Sequence, residues 1–422
     1  MNSERESVTS ITVPTSWSLK KVGQLADLTA GGTPSTNVPE YWDGDIPWMS
    51  SGEVNLGRIT AVEGRITELG FRNSSTKMIP VHSVMMALAG QGKTRGKVAY
   101  NEIELCTNQS LAAIMPRKDL DYKFLFYNLE SRYDEIRAMS SGDGGRGGLN
   151  LTIIKSIQLL LPPFAEQQKI AEILSTVDEK MAVIDEQLAQ TQELKKGLMQ
   201  RLLTKGIGHT AFKDSPLGQI PESWVVTKIK DATTAYSGGT PKRNVDGYYN
   251  GNIPWVKSGE VNQRNITSTE ETVTEKALKE SATRLIKPGS ILIALYGATA
   301  GNVGMLRIEA CSNQAVLAVN SKISSLSNEF LLYYLKLTTS SLLKMTQGSG
   351  QPNLSKGIID SIIFPLPPIG EQHQIVEVLA TIDDKLQVLI DKKTQYQELK
   401  RGLMQQLLTG QRRVNLPELA IA

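Results

Sequence analysis

The 422-residue chain predicts a mixed α/β protein, with two similar globular domains joined by two long antiparallel coiled-coil helices in a pseudo-two-fold arrangement. Three observations predict it. The chain is written twice, each copy ends in a long unbroken helical pattern, and the rest of each copy mixes short β-rich runs with one helical stretch.

The repeat comes first because it sets every boundary. "PTSWSLKKVGQLADLTAGGTPS" from Pro14 returns as "PESWVVTKIKDATTAYSGGTPK" from Pro221, and "YWDGDIPWMSSGEVN" from Tyr41 as "YYNGNIPWVKSGEVN" from Tyr248. "ELCTNQS" returns as "EACSNQA", "LPPFAEQQKIAEILSTVDEKM" as "LPPIGEQHQIVEVLATIDDKL", and "ELKKGLMQRLLT" as "ELKRGLMQQLLT". The repeating unit is a half-protein rather than a 20–50-residue solenoid motif. The expected domains are residues 1–163 and 216–368, with helices over 164–205 and 369–410, a linker over 206–215 and a tail over 411–422. Within the domains, "SVMMALAG" and "SILIALYG" read as strands, and "YKFLFYNLESRYDEIRAM" and "NEFLLYYLKLTTSSLLKM" as helices.

In the first long helix, apolar residues alternate four and three apart at Ile170, Leu174, Val177, Met181, Ile184 and Leu188, and resume at Leu198 after polar Thr191 and Lys195. In the second they fall at Ile375, Leu379, Ile382, Leu386 and Leu389, with a polar break at Lys393, Tyr396 and Lys400. A narrow stripe of this kind is a helix-pairing seam. Thirty-eight residues of it make a rod of roughly 57 Å, and the Gly/Pro-marked linker can reverse the chain, so the two helices are expected to pair antiparallel.

Composition excludes several classes. Hydrophobic residues at 40% and charged residues at 21% fit a soluble protein with real cores. A net charge of +3 tolerates an acidic partner without requiring one. Two cysteines, Cys106 and Cys311, form no disulfide framework and show no zinc spacing. The N-terminus lacks a signal-peptide core and no run reaches the ~20 apolar residues of a membrane span. The expected location is the cytoplasm.

One stretch imitates a nucleotide site. "ALAGQGKTRGK", Ala87 to Lys97, fits the phosphate-loop pattern except that Ala87 replaces the first glycine. Its repeat partner "ALYGATAGNVGML" lacks the lysine, and no helix follows to receive phosphates. The loop is therefore expected to be a Gly-rich turn between strands that carries Lys93, Arg95 and Lys97. His82, His209 and His373 are too scattered for a metal set or a nucleophile–base pair, and the acids of "VDEK" and "IDDK" read as solvated helix faces. No catalytic or metal residues are expected.

Taken together, "SGGTP", "GNIPWVKSGEVN", "YGATAGNVG", "CSNQA", the "PLPPIGEQHQIVEVLATID" helix start and the "LKRGLMQQLLTG" ending resemble the specificity subunit of type I restriction–modification systems, over about Trp17 to Arg413. The resemblance implies that each globular half is a target-recognition domain reading one part of an asymmetric, bipartite double-stranded DNA site. It implies that the helices set the spacer, and that two methyltransferase and two restriction/translocase subunits assemble on the chain. Methylation and cleavage, with S-adenosylmethionine, ATP and Mg, would belong to those partners, so the chain itself is expected to be no enzyme and to hold no cofactor.

Base edges are read by Arg, Lys, Asn and Gln, and phosphates by Lys, Arg, Ser, Thr and backbone amides. The expected DNA-contacting residues in the first domain are Thr33 and Ser35, the loop Lys93, Thr94, Arg95 and Lys97, and Arg146. In the second they are Thr240, Lys242 and Arg243, then Tyr296, Thr299 and Asn302, then Gln347, Gln351 and Asn353. Gly-rich loops can also be plain solvated turns, and Tyr296 can be core. Asn108-Gln109 and Asn313-Gln314 follow the matched cysteines in apolar context and read as buried structural amides; Trp17, Trp48, Trp224 and Trp255 read as core. With so small a net charge, the chain is expected to bind DNA poorly on its own. The competing readings are a coiled-coil adaptor that touches no DNA and a P-loop ATPase.

Overall fold

The structure, a computed structural model, describes residues 14–90, 93–139, 148–261, 264–346 and 353–415. It contains two compact units, Met1–Asp185 with Asp391–Ala422, and Glu186–Ile390. Each unit therefore takes a globular domain, the first half of the helix that follows it and the second half of the other long helix.

The first unit contains β1 (Ser18–Lys21), α1 (Val22–Leu25), β2 (Ala26–Ala30), β3 (Trp42–Met49), β4 (Arg58–Ile59), β5 (Arg65–Ile66) and α2 (Glu68–Arg72). There follow β6 (Val84–Ala87), β7 (Val98–Asn101), β8 (Cys106–Thr107), β9 (Leu111–Pro116), α3 (Tyr122–Ser131), α4 (Tyr133–Ala138), α5 (Leu151–Ser156) and β10 (Gln158–Leu161), which leads into the long α6 (Phe164–Lys205). A five-stranded sheet has the order β2-β9-β6-β7-β4, antiparallel except for the β7–β4 pair. A three-stranded sheet has the order β5-β3-β8, and β10 pairs with β1.

The apolar runs "VMMA" and "LAAI" form strands buried on both faces, because side chains alternate across a sheet. Val84, Met86, Ala112 and Ile114 face a core shared with Phe124, Leu125 and Tyr127 of α3. Met85, Ala87, Leu111 and Ala113 face a second core with Met49, Val54, Ile59 and Leu105. At about 1.5–3 kcal/mol for each fully buried large side chain, these two layers hold the sheet ends in place.

The second unit repeats the plan. After β11 (Phe212–Lys213) and β12 (Ile220–Pro221) come β13 (Val225–Lys228), α7 (Ile229–Ala232), β14 (Thr233–Ser237), β15 (Tyr249–Val256), β16 (Asn265–Ile266), β17 (Glu271–Val273) and α8 (Glu275–Glu280). Then come β18 (Ile291–Ala294), β19 (Val303–Leu306), β20 (Cys311–Ser312), β21 (Val316–Ser321), α9 (Asn328–Thr346), α10 (Lys356–Ser361), β22 (Ile363–Leu366) and α11 (Ile369–Leu407). Its main sheet has the order β14-β21-β18-β19-β16 and again separates two cores. Both units share a bulge in the IPW strand, where Asp43 and Asn250 adopt φ values of 59° and 62°. Asp and Asn tolerate that left-handed region better than most residues.

One expected helix differs between the units. The stretch from Tyr122 is broken at Arg132 (φ −107°, ψ 22°), whose guanidinium binds Glu135 and donates to the Gln158 carbonyl, whereas α9 runs through to Thr346.

The expected antiparallel pairing of the long helices is present inside each unit. In the first, Lys393 pairs with Asp185 at 2.5 Å, Lys400 with Asp178 at 2.9 Å, and Arg413 with Glu166 at 2.6 Å, an order that runs opposite along the two segments. In the second, Lys195 pairs with Asp383 at 2.5 Å and His209 with Glu371 at 2.7 Å. Of the seam residues, Ile170, Leu174, Val177, Ile184, Ile375, Leu379 and Leu389 are buried, while Met181, Leu188, Ile382 and Leu386 are half-buried. The polar interruption is an ion-pair layer: Lys400 also reaches Glu130, and Tyr127 and Tyr333 donate to Asp178 and Asp383 at 2.8 Å. At the helix starts, Trp17 and Trp224 donate their indole N–H groups to Glu166 and Glu371.

Candidate nucleic-acid interface

Three loops meet at one end of each main sheet. In the first unit these are the GGTP loop leaving β2, the Asn-Gln turn entering β9 and the Gly-rich hairpin between β6 and β7. Backbone bonds tie them together: Gly31 N–H to Leu111 O, Gly32 N–H to Thr107 O, and Leu88 N–H to Ser110 O. In the second unit Gly238, Gly239 and Leu295 donate to Val316, Ser312 and Ala315 in the same way. The paired glycines are required by this approach, since a Cβ on Gly31 or Gly238 would lie 2.2 Å from Thr107 or Ser312. A further segment closes the group, with Leu149 N–H donating to Leu88 O and Leu354 N–H to Leu295 O.

The loop that imitates a phosphate-binding motif is thus a hairpin turn. Met86 pairs with Val98 across it, so the strand before the loop leads to an antiparallel strand and not into a helix. The Lys93 carbonyl accepts from the Tyr133 hydroxyl at 2.7 Å, and Lys97 donates to Asn55 at 2.8 Å. Lys93 is exposed, while Thr94, Arg95 and Lys97 are half-buried. Ser35 is exposed and Thr33 half-buried, its hydroxyl donating to Gln109.

In the second unit Thr240, Lys242, Arg243 and Asn353 are exposed and Asn302 is half-buried. Arg243 pairs with Glu271 at 2.7 Å and lies 4.2 Å over the Tyr249 ring; the ion pair holds the Glu271 carboxyl below its ordinary pKa. The Thr299 hydroxyl donates to Ser258 O at 3.0 Å, tying this loop to the SGEVN segment. Tyr296 is 38% exposed, so it belongs to the surface and not to the core. Arg146, Gln347 and Gln351 lie outside the described residues.

Sequence reasoning missed the Asn-Gln turns. Gln109 and Gln314 are exposed and Asn108 and Asn313 half-buried, where buried amides were expected. The apolar context belongs to the strands on either side, whereas the dipeptide caps the turn between them. Its identical occurrence in both halves was the available signal. Of the four tryptophans, Trp17, Trp224 and Trp255 are buried as expected, and Trp48 is half-buried with its N–H on Gly32 O at 3.0 Å.

Burial pushes both cysteine thiols up, Cys311 to about 12, which disfavours the nucleophilic thiolate at neutral pH. Among the described residues no three His, Cys, Asp or Glu side chains converge as a metal site, and no helix is long and apolar enough to cross a membrane.

Comparison with known proteins agrees with this geometry. The family model described as the type I restriction modification DNA specificity domain matches twice, over residues 14–193 and 221–401. The MjaVIII specificity subunit of Methanocaldococcus jannaschii is 27% identical over 422 residues, covering 95% of this chain and 94% of its own. The EcoR124I/EcoR124II specificity subunit of Escherichia coli is 31% identical over 182 residues, covering 42% of this chain and 45% of its own. The solved S subunit from M. genitalium shares the fold with a TM-score of 0.60 at 16% identity, covering 99% of this chain and 100% of its own. With two matched domains spanning most of its length, the chain belongs to the type I restriction–modification DNA specificity subunit family.

Proposed function

We propose that this chain is the DNA-reading, non-catalytic subunit of a cytoplasmic type I restriction–modification complex. Each unit reads one part of a split, asymmetric double-stranded site through the loops at its sheet end. The paired helices set the spacer and dock two methyltransferase subunits, to which two restriction/translocase subunits can add. S-adenosylmethionine, ATP and Mg act on those partners.

The observation that carries this reading is a scaffold repeated with different side chains on it. Both units gather the same three loops in the same backbone bonds, yet Lys93-Thr94-Arg95 in one corresponds to a loop with Thr299 and no lysine in the other. Two readers of one construction with different surfaces select two different short sequences. Inserting one heptad at matched positions of α6 and α11 tests the division of labour. The methylated motif is expected to keep both half-sites and change only its spacer; an altered half-site would contradict it.

A further inference from the structure

One groove of the first unit has no filling of its own. A space of 780 Å³ lies between α3, the β1–β10 pair and the last turns of α11, with Leu19, Leu160, Met404 and Leu408 among its apolar walls. Ligand pockets have volumes of roughly 300–1,000 Å³ and mostly apolar linings with a few placed polar groups. The placed polar group here is Asn128. It is 4% exposed and lines the groove, yet its carboxamide oxygen is buried with no hydrogen-bond partner among the described residues. Buried polar groups are normally paired, and an orphaned one costs stability.

The second unit fills the matched place with its own side chains. Counting from the matched Tyr127 and Tyr333, Asn128 corresponds to Tyr334 and Ser131 to Leu337. Tyr334 is buried and donates its hydroxyl to the Ile363 carbonyl at 3.1 Å, and Leu337 packs against the same core. Val226, which matches Leu19, packs there as well, whereas Leu19 is 59% exposed. In the first unit the matched carbonyl, that of Gln158, is taken by the Arg132 guanidinium at 2.6 Å. Two smaller polar side chains thus leave a hollow where the fold elsewhere accommodates a hydroxyl-bearing ring beside an aliphatic group.

We propose that this groove is a binding site for a small, uncharged aromatic molecule carrying a hydroxyl group, its ring between the apolar walls and its hydroxyl on the Asn128 amide. Such a site is independent of the DNA-reading function proposed above. A phenol hydroxyl both donates and accepts, so it satisfies the amide whichever way that amide is turned about its last bond. Arg132 and Lys400 on the border already pair with Glu135 and Glu130, at 2.5 and 2.9 Å, and Arg401 is exposed to solvent. The walls and the orphaned amide therefore select for an apolar ring with one polar group and not for an anion.

The probe is p-cresol, the tyrosine side chain as a free molecule, titrated into the full chain and followed by saturation-transfer NMR, with toluene as the same ring without its hydroxyl. One saturable p-cresol site per chain is expected. Asn128→Tyr, which copies the second unit, is expected to abolish it while leaving the thermal unfolding of the chain unchanged or raised. No saturable site in the wild type, or one that persists in folded Asn128→Tyr, would overturn the proposal. Asn128→Leu keeps the hollow and removes the amide. The ratio of p-cresol to toluene affinity is expected to fall several-fold in this variant, as the hydroxyl loses its partner; an unchanged ratio would overturn the assignment of the hydroxyl to Asn128. Should Asn128→Tyr fail to fold, that ratio decides alone.

Discussion

Replacing Lys336 by methionine should stabilise the unit that contains it. Lys336 lies on α9 at the position that Glu130 occupies on α3, one residue after the matched Leu335 and Leu129. Glu130 has Lys400 for a partner at 2.9 Å. Lys336 instead shares its surroundings with Lys195 and Arg264, and the Asp383 carboxylate is already engaged by Lys195 at 2.5 Å. Burial first, and then the Lys195 charge, bring the Lys336 ammonium down from 10.5 to about 8. At about 1.4 kcal/mol per pKa unit that difference corresponds to roughly 3 kcal/mol. Because the side chain keeps part of its solvent contact, a gain of about 1–3 kcal/mol is expected for the apolar replacement. The pH dependence follows from linkage. Below about pH 8 Lys336 is charged both folded and unfolded, so the whole cost is present. Between about 8 and 10.5 the folded chain has released the proton and the unfolded chain has not, so wild-type stability rises with pH and the advantage of methionine shrinks. Amide hydrogen exchange of the two units, followed through guanidinium unfolding at pH 7 and pH 10.5, measures this. Loss of stability in Lys336→Met, or a gain of equal size at both pH values, would refute the electrostatic account.

Other substitutions test the same framework. Lys400→Met should destabilise the first unit by about 3–5 kcal/mol at most, because it leaves Glu130 and Asp178 facing each other without their shared cation; Lys195→Met should cost less, since it also relieves Lys336, and equal losses in urea titrations would contradict the comparison. Arg413→Ala strips the bidentate cation from Glu166, which is 1% exposed, and should cost about 2–4 kcal/mol in thermal or chemical unfolding of that unit. Lys93→Ala should leave the chain's behaviour toward ATP unchanged in calorimetry, since the strand before this loop leads to an antiparallel strand and not into the helix a phosphate loop needs. The isolated chain, with a net charge of +3, should bind DNA weakly and with little selectivity in fluorescence anisotropy, gaining both on addition of the methyltransferase.

Much of the architecture was legible because repetition and periodicity are properties of the chain itself. The four-three spacing from Ile170 predicted α6. The lysine at the break in each seam was legible only as an interruption; that Lys400 and Lys195 meet Asp178 and Asp383 depends on the register between segments 222 and 188 residues apart. The break at Arg132 was illegible for a similar reason, as its guanidinium bonds to β10. Among the sheet-end loops, the Gly-rich hairpin could be told from a nucleotide loop by comparing its two copies. The exposure of Gln109 and Gln314 could not, because hydropathy averages a two-residue turn with the buried strands on either side.

The DNA-reading role proposed above means that this chain chooses where a methyltransferase acts. Base-resolved methylation of DNA from cells expressing the chain with its methyltransferase, against the methyltransferase alone, tests it most directly. A split, asymmetric adenine-methylated motif that appears only when this chain is present is the expected result. The same methylation with and without the chain, or none despite an assembled complex, would contradict it.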